Sequence, residues 1–208
     1  MTGTRRGPTI RRIRRTEWGK YREVRLRGLA TDPLAFGSVV AEESQRPPEF
    51  WQERVQRGAS APDSSLWVLG RPYGPFLGTV TIFRVEGRFH VFGTWLDPAL
   101  RGRGWGSRLL DTALRWFDRT APGTPLTLEV NPRQGPAMAL YRRRGFRPTG
   151  ETRPLGHTAG EFVVELVRRP KMSGNARRGP SATSRARPSH PPQGSRAPAP
   201  RRRPRSRP

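Results

Sequence analysis

The feature that most constrains the fold is a strand-like run that ends in a glycine-rich loop, which then opens an amphipathic helix. Residues 96–107 read LDPALRGRGWGS, so that an Asp-Pro pair ends the strand before glycines at 102, 104 and 106. Beyond the loop, apolar residues recur every four positions, at Trp105, Leu109, Ala113 and Phe117. This period is typical of an amphipathic helix. A strand followed at once by such a helix favours an α/β fold.

The same loop has the chemistry of a phosphate site. Glycines let backbone N–H groups approach a phosphate, and the helix N-terminus adds roughly half a positive charge there. Arg101 and Arg103 offer charge-assisted donors. The glycine spacing differs from the dinucleotide fingerprint, and no Gly-Lys-Ser/Thr of a Walker loop follows. Taken alone, the loop is also consistent with a tight turn and a helix cap.

The rest of residues 9–170 alternates between strand-like and helical patterns. Strands are predicted at 9–15, 65–69, 77–85, 88–96, 125–130, from 146 onward and at 161–167. Helices are predicted at 16–30, at 47–56, after the glycine loop and at 136–144, with a long loop joining the first two. This order predicts a mixed, largely antiparallel sheet flanked by helices.

The ends of the chain differ from this domain. Residues 171–208 contain none of Val, Ile, Leu, Phe, Trp or Tyr, and they hold 11 of the 40 Lys and Arg and none of the 16 acidic residues. A segment without apolar residues cannot bury enough surface to offset its ordering entropy. We therefore predict a disordered C-terminal tail at 171–208, a flexible basic lead-in at 1–8 and one folded domain at 9–170.

The net charge of +24 would ordinarily indicate a partner such as nucleic acid. Only Lys20 and Lys171 of the 40 basic residues are lysines, an imbalance that arginine codons of a GC-rich genome also produce. No helix-turn-helix, RNA-recognition or zinc pattern accompanies the charge. A solvated, codon-biased surface and a weak polyanion contact through the tail both stay open.

Other classes are excluded more directly. The chain has no cysteine, which rules out disulfides, thiolate metal sites and a cysteine nucleophile. Its three histidines are far apart, so no metal site is predicted. No apolar run of membrane-spanning length and no secretory leader is visible, so we expect a cytoplasmic protein without a membrane partner. Either a monomer or a homodimer fits.

Two motifs in succession resemble the GNAT acetyltransferases. The acetyl-CoA loop of that superfamily reads Arg/Gln-x-x-Gly-x-Gly/Ala, and Arg101, Gly104 and Gly106 occupy its defined places. Residues 137–150 then match the second motif, A-x-x-L-Y-x-x-x-G-F-x-x-x-G, in order and spacing. The resemblance covers about residues 10–168 and leaves out the tail.

The resemblance implies a fold in which two parallel strands, Arg88–Leu96 and Leu126–Val130, splay apart and admit the pantetheine arm of CoA. It implies acetyl-CoA as co-substrate, held by Trp95, Leu96, Arg101, Gly102, Arg103, Gly104, Trp105, Gly106 and Ser107. The family usually has Asn three residues before the alanine of the second motif, where this chain has Gln134. Either Gln134 or the nearby Asn131 would then make that contact.

The resemblance also implies direct acetyl transfer to an amine. Tyr141 lies where the family places the general acid, and a phenol with a pKa near 10 suits protonation of a departing thiolate. For the base, His90 lies on the splayed strand and has a suitable ordinary pKa near 6.5. Glu129 is the alternative and Glu86 a more distant one. A bulge at Gly93 would expose a backbone N–H to the oxyanion.

The acceptor remains open at this stage. In this fold the acceptor site is built largely by residues 30–51, which carry Asp32, Glu42, Glu43 and Glu49. These carboxylates would attract a cationic amine if they faced the site, or they form a solvated loop face. Small amines, antibiotics, amino acids, protein N-termini and lysine side chains all fit. The alternative function is a non-catalytic acyl-CoA-binding module with a polyanion-binding basic tail.

Overall fold

The computed structural model describes residues 7–170 and has the predicted α/β architecture. The strands are β1 Thr9–Arg12, β2 Ser64–Gly70, β3 Phe76–Val85, β4 Arg88–Leu96, β5 Leu126–Val130, β6 Arg147–Pro154 and β7 Phe162–Arg168. The helices are α1 Trp18–Thr31, α2 Val40–Ser44, α3 Pro48–Ser60, α4 Trp105–Thr120 and α5 Gly135–Arg143. The predicted tail, 171–208, and most of the predicted lead-in, 1–8, lie outside the described residues.

All seven strands form one sheet in the order β1-β2-β3-β4-β5-β7-β6. Every neighbouring pair is antiparallel except β4 and β5, which run parallel. The sheet is therefore mixed and largely antiparallel, as predicted.

The sequence prediction was wrong in two places of the N-terminal third. The first strand ends at Arg12 rather than at residue 15, because the Glu17 carboxylate accepts bonds from the Arg11 side chain and the Arg14 N–H, and a 3-10 turn, Arg15–Glu17, begins. The long loop predicted after the first helix contains a 3-10 turn, Pro33–Ala35, and the five-residue helix α2. A helix this short has too few residues to display a period.

The core lies in two clusters, one on each face of the sheet. Helix α4 covers one face, and Leu109, Leu110, Ala113 and Phe117 are each at most 2% exposed there. Helices α1 and α3 cover the other face through residues such as Val24, Trp51 and Val55. Each fully buried large apolar side chain stabilises the fold by about 1.5–3 kcal/mol.

The sheet opens where β4 and β5 diverge. Their parallel pairing covers three positions, from Phe89 opposite Leu126 to Val91 opposite Leu128, although β4 continues to Leu96. At Gly93 the backbone takes a φ of +56°, and the register of β4 on β3 shifts. The shift reverses the alternation of the strand, because Val91 packs toward α4 whereas Trp95 packs against α1. This is the predicted bulge between splayed strands.

Candidate active site

A cleft of about 1160 Å³ opens at this divergence. The N-terminus of α4 and the α5 helix line one end of it, and the segment after α1 lines the other. Eleven of the predicted site residues line the cleft: His90, Trp95, Leu96, Arg101, Gly102, Gly104, Gly106, Ser107, Glu129, Gln134 and Tyr141. Arg103, Trp105 and Asn131 do not.

The glycine loop supplies unpaired backbone donors at the cleft. Gly102 and Gly104 have φ values of +72° and +79°, in the left-handed region where a side chain is strained. Arg108 is the first residue near the start of α4 whose N–H bonds a carbonyl, that of Gly104. The N–H groups just before it are the orphan donors of a helix N-terminus, aided by the helix dipole. The loop is therefore a suitable anion site built from backbone.

The Arg101 side chain lines the cleft and is also engaged with the protein itself. Its Nη1 and Nη2 lie 3.1 and 2.5 Å from the two carboxylate oxygens of Asp32, and its Nε donates to the Leu96 carbonyl at 3.0 Å. The Trp95 indole donates to the same carboxylate at 2.8 Å. Burial alone would raise the pKa of Asp32, but these hydrogen bonds outweigh burial and lower the pKa. Arg101 thus fastens the loop to the end of α1.

Arg103 and Trp105 were predicted as cofactor residues, but neither reaches the cleft. Arg103 is exposed on the loop. Trp105 packs at the margin of the core under α4, with the Arg108 guanidinium 5.1 Å from its ring centroid. Their proximity in sequence to the glycines does not fix the side-chain direction, because successive residues of a helix start point to different faces.

Asn131 is likewise engaged elsewhere. It is 1% exposed, donates to the Glu161 carboxylate at 2.8 Å and accepts the Arg133 N–H at 2.9 Å. These bonds hold the turn between β5 and α5. Gln134, the residue immediately before α5, does line the cleft. Of the two alternatives, Gln134 is the one that lines the cleft.

Tyr141 lies on α5 within the cleft and is 6% exposed. Burial raises the pKa of its phenol, and the neighbouring Thr94 hydroxyl offsets a part of this. That contact falls short of a full hydrogen bond, since Thr94 Oγ1 is buried without a partner among the described residues. Tyr141 is therefore protonated at neutral pH and can donate a proton.

His90 is held in a defined orientation by the adjacent strand. Its Nδ1 lies 2.6 Å from the Thr127 hydroxyl, and that hydroxyl lies 3.2 Å from the Phe89 carbonyl, to which it donates. With the hydroxyl proton directed at the Phe89 carbonyl, Nδ1 carries the hydrogen shared with Thr127 and Nε2 keeps a lone pair; a hydroxyl that donates to Nδ1 instead leaves the hydrogen on Nε2. Burial, aided by the Arg88 charge, lowers the pKa of His90.

Glu129 lies on the same face of the sheet, two residues beyond Thr127 on β5. Its carboxylate accepts two hydrogen bonds from Arg153, one of them 3.0 Å long from Nε. The ion pair is partly exposed, with Glu129 at 39%. Glu86, the more distant candidate for the base, is exposed in the turn between β3 and β4 and does not line the cleft.

The predicted acidic face of residues 30–51 does not present free carboxylates. Asp32 is paired with Arg101, and Glu43 is 5% exposed and paired with Arg25. Glu42 and Glu49 do not line the cleft. Attraction of a cationic amine by an acidic cluster here is therefore not supported.

Sequence patterns did not predict several of the residues that line the cleft. Arg143 lines the cleft at the end of α5, but it belongs to a run of three arginines in which spacing distinguishes none. Arg25 and Arg54 come from the middle of α1 and α3. Their side chains meet at Glu43, and only the tertiary packing of both helices brings them there.

Two further observations concern residues 7–170. No group of three His, Asp or Glu side chains lies close enough together to hold a metal ion in this part of the chain. None of its helices is long and apolar enough to cross a membrane.

A sheet that splays beside a glycine-capped helix N-terminus, with a buried phenol in the opening, agrees with the fold that the GNAT resemblance implies. The family model described as acetyltransferase (GNAT) matches residues 16–146. The chain belongs to this family.

Relatives within the family agree with this assignment. The chain is 30% identical over 154 residues to the N-alpha-acetyltransferase RimI of Mycobacterium tuberculosis, covering 66% of this chain and 94% of RimI. It is 32% identical over 91 residues to the peptidyl-lysine N-acetyltransferase YjaB of Salmonella typhimurium, covering 44% of this chain and 56% of YjaB.

A solved structure supports the fold. A GNAT-family acetyltransferase from Streptococcus pneumoniae superposes with a TM-score of 0.66 at 19% identity, covering 79% of this chain and 99% of that one. At this identity the likeness concerns the fold alone.

Proposed function

We propose that this protein transfers the acetyl group of acetyl-CoA directly to a primary amine, on a small molecule or on a protein. The observation that carries the proposal is the position of Tyr141, a buried, protonated phenol in the same cleft as the unpaired N–H groups at the start of α4. One end of the cleft can therefore hold an anion while its centre delivers a proton.

The shape and polarity of the cleft support acetyl-CoA as the donor. The glycine loop and the start of α4 would bind the pyrophosphate of CoA. The pantetheine arm would lie between β4 and β5 beside Trp95 and Leu96, where the strands no longer bond each other. Gln134 and Arg143 line the same region and would contribute polar contacts.

The acetyl group moves directly from the sulfur of acetyl-CoA to the amine nitrogen. The amine lone pair attacks the thioester carbonyl carbon, the negative charge passes to the carbonyl oxygen, and on collapse the C–S bond breaks. The Tyr141 hydroxyl gives its proton to the departing sulfur, and the proton lost by the amine passes to the base. The products are the N-acetyl amine and CoA thiol. The chain contains no cysteine, so no acyl-cysteine intermediate forms.

The base in this proposal is His90. Its Nε2 carries a lone pair and its lowered pKa keeps it neutral at physiological pH. Glu129 is the alternative, but both its oxygens already accept hydrogen bonds from Arg153. A backbone N–H at the Gly93 bulge would stabilise the oxyanion. The bulge is fixed for this task by the Thr79 hydroxyl, which donates to the Gly93 carbonyl at 2.7 Å.

The test measures acetyl-CoA-dependent release of CoA thiol by the full chain with a panel of primary amines. Tyr141→Phe removes the proton donor while keeping the ring, and it is expected to lower kcat by about a hundredfold or more. Tyr73→Phe is the matched control, because Tyr73 is fully exposed in the turn between β2 and β3. Equal kcat values for both variants and the wild type would contradict the proposal.

A further inference from the structure

Three arginines and two glutamates from α1, α2, α3, β5 and β6 line the cleft, and the part they form is called its acceptor end: Arg25, Arg54, Arg153, Glu43 and Glu129. Arg153 is paired with Glu129, and Arg25 with Glu43. Arg54 has only a loose partner, because its Nη1 lies 4.0 Å from the Glu43 carboxylate that Arg25 already occupies. This end therefore carries one positive charge beyond what its own carboxylates neutralise.

Arg25 also has one donor that is not used. Its Nε donates to Glu43 at 3.0 Å, and its Nη2 donates to Glu43 at 2.7 Å and to the Ser38 hydroxyl at 2.9 Å. Its Nη1 bonds no described residue and lies 3.8 Å from where a Cβ of Gly93 would stand. The side chain is only 9% exposed. An unsatisfied donor of a nearly buried cation thus lies beside the bulge at the reaction centre.

The Arg54 guanidinium also has donors that can bind a ligand. It makes no hydrogen bond with any residue of the described chain, and the guanidinium carbon lies 5.6 Å from the Phe50 ring centroid. The Arg54 side chain as a whole is 30% exposed. Guanidinium groups bind carboxylates with charge-assisted and often bidentate hydrogen bonds. Arg25 and Arg54 both approach the Glu43 carboxylate and both line the cleft, so a carboxylate bound in that part of the cleft has two guanidinium groups around it.

We infer that the acceptor carries a carboxylate near its amine and that Arg25 Nη1 and Arg54 bind this carboxylate. The inference rests on the proposed function and specifies its substrate class. The shared chemistry is an amine and a carboxylate a few atoms apart, supplied by a free amino acid or by an acidic second residue at a peptide N-terminus. Amines that carry additional positive charge are disfavoured by the surplus arginine charge.

The experiment compares acceptors that differ in a single carboxylate, using the full chain and thiol release. Alanine is paired with alaninamide, and an alanyl-aspartyl peptide amide is paired with its alanyl-asparaginyl counterpart. The acid is expected to have the higher kcat/KM in at least one pair, by on the order of tenfold or more. The pair that responds identifies the source of the carboxylate.

Arg54→Gln should reduce the ratio of kcat/KM for the acid to kcat/KM for the amide to nearly one. The change should come chiefly from KM for the acceptor, and KM for acetyl-CoA should not change. Arg57→Gln is the matched control, since it removes the same charge from the same helix but lies outside the cleft. Arg25→Lys keeps a cation beside Glu43 and removes Nη1, and it should also lower the preference. Thermal unfolding of each variant verifies that it folds.

Transfer that is equal for acid and amide, or faster with both amides, would overturn this inference and leave the proposed function intact. A preference that survives Arg54→Gln and Arg25→Lys would overturn the assignment to these arginines. Absence of transfer to every acceptor would overturn the proposed function together with the inference.

Discussion

The His90 imidazole and the Thr127 hydroxyl lie 2.6 Å apart and join the two strands at the last stretch where they run side by side. One position further, after Val91 and Leu128, β4 and β5 separate to form the cleft. The contact orients the imidazole so that Nε2 is the ring nitrogen that Thr127 leaves free, which links the orientation of the proposed base to the geometry that creates the site.

This link predicts a pH profile. His90 accepts a proton only when neutral, and burial and the Arg88 charge lower its pKa below the ordinary value of about 6.5. The rate constant kcat/KM should therefore fall as the pH drops through that lowered pKa. In His90→Gln this limb should vanish and the rate should fall about a hundredfold or more. A profile that keeps the limb in His90→Gln and loses it in Glu129→Gln would instead assign the base to Glu129.

The Arg101–Asp32 ion pair should contribute to the stability of the fold rather than to the reaction. Asp32→Asn weakens the bonds from Arg101 and Trp95, and we expect the free energy of unfolding to fall by about 1–3 kcal/mol in urea titrations. The folded-state pKa of Asp32 is lowered, so its contribution is present above the unfolded pKa and is lost as the pH falls through the folded value. The decrease in the free energy of unfolding caused by Asp32→Asn should therefore be smaller at acidic pH.

Asp63→Asn is the control for this prediction. Asp63 precedes β2 and has no ion pair or side-chain hydrogen bond in the described part of the chain. An equal loss of stability in both variants would contradict the role of the pair.

Two helical glycines should respond in opposite directions to alanine. A Cβ on Gly58 of α3 would lie 2.5 Å from the Leu66 Cβ, and Gly58→Ala should destabilise the fold by about 1–3 kcal/mol through overpacking. A Cβ on Gly19 of α1 would meet nothing within 4 Å, so Gly19→Ala should be neutral or stabilising by up to about 1 kcal/mol. Urea titration of both variants measures the difference, and a stable Gly58→Ala would mean that α3 sits farther from the sheet.

The parts of the site that were predictable are those encoded locally. The glycine loop, the bulge at Gly93 and the position of Tyr141 each depend on residues within one strand-turn-helix segment. Backbone requirements there restrict residue type, which leaves a readable pattern in the sequence.

The ion pairs were not predictable, because their partners are distant in sequence. Arg101 and Asp32 are 69 positions apart, and Arg25 and Glu43 are 18 apart across a loop and the short helix α2. The bond from the Asn131 amide to Glu161, 30 residues later, was not predictable for the same reason. In a chain with 40 basic residues, spacing alone cannot select the pairs.

The most direct test of the central claim is a calorimetric titration of acetyl-CoA into the full chain and two glutamate variants. Gly104→Glu places bulk and negative charge at the cap of α4, whereas Gly123→Glu introduces the same residue at a similar φ, +75° against +79°, in the open turn after that helix. Both should lose similar stability. We predict binding by the wild type and by Gly123→Glu, and binding at least about a hundredfold weaker, or about 2.7 kcal/mol, in Gly104→Glu. A folded wild type that does not bind acetyl-CoA, or a Gly104→Glu variant that binds it as well as the wild type, would contradict the account.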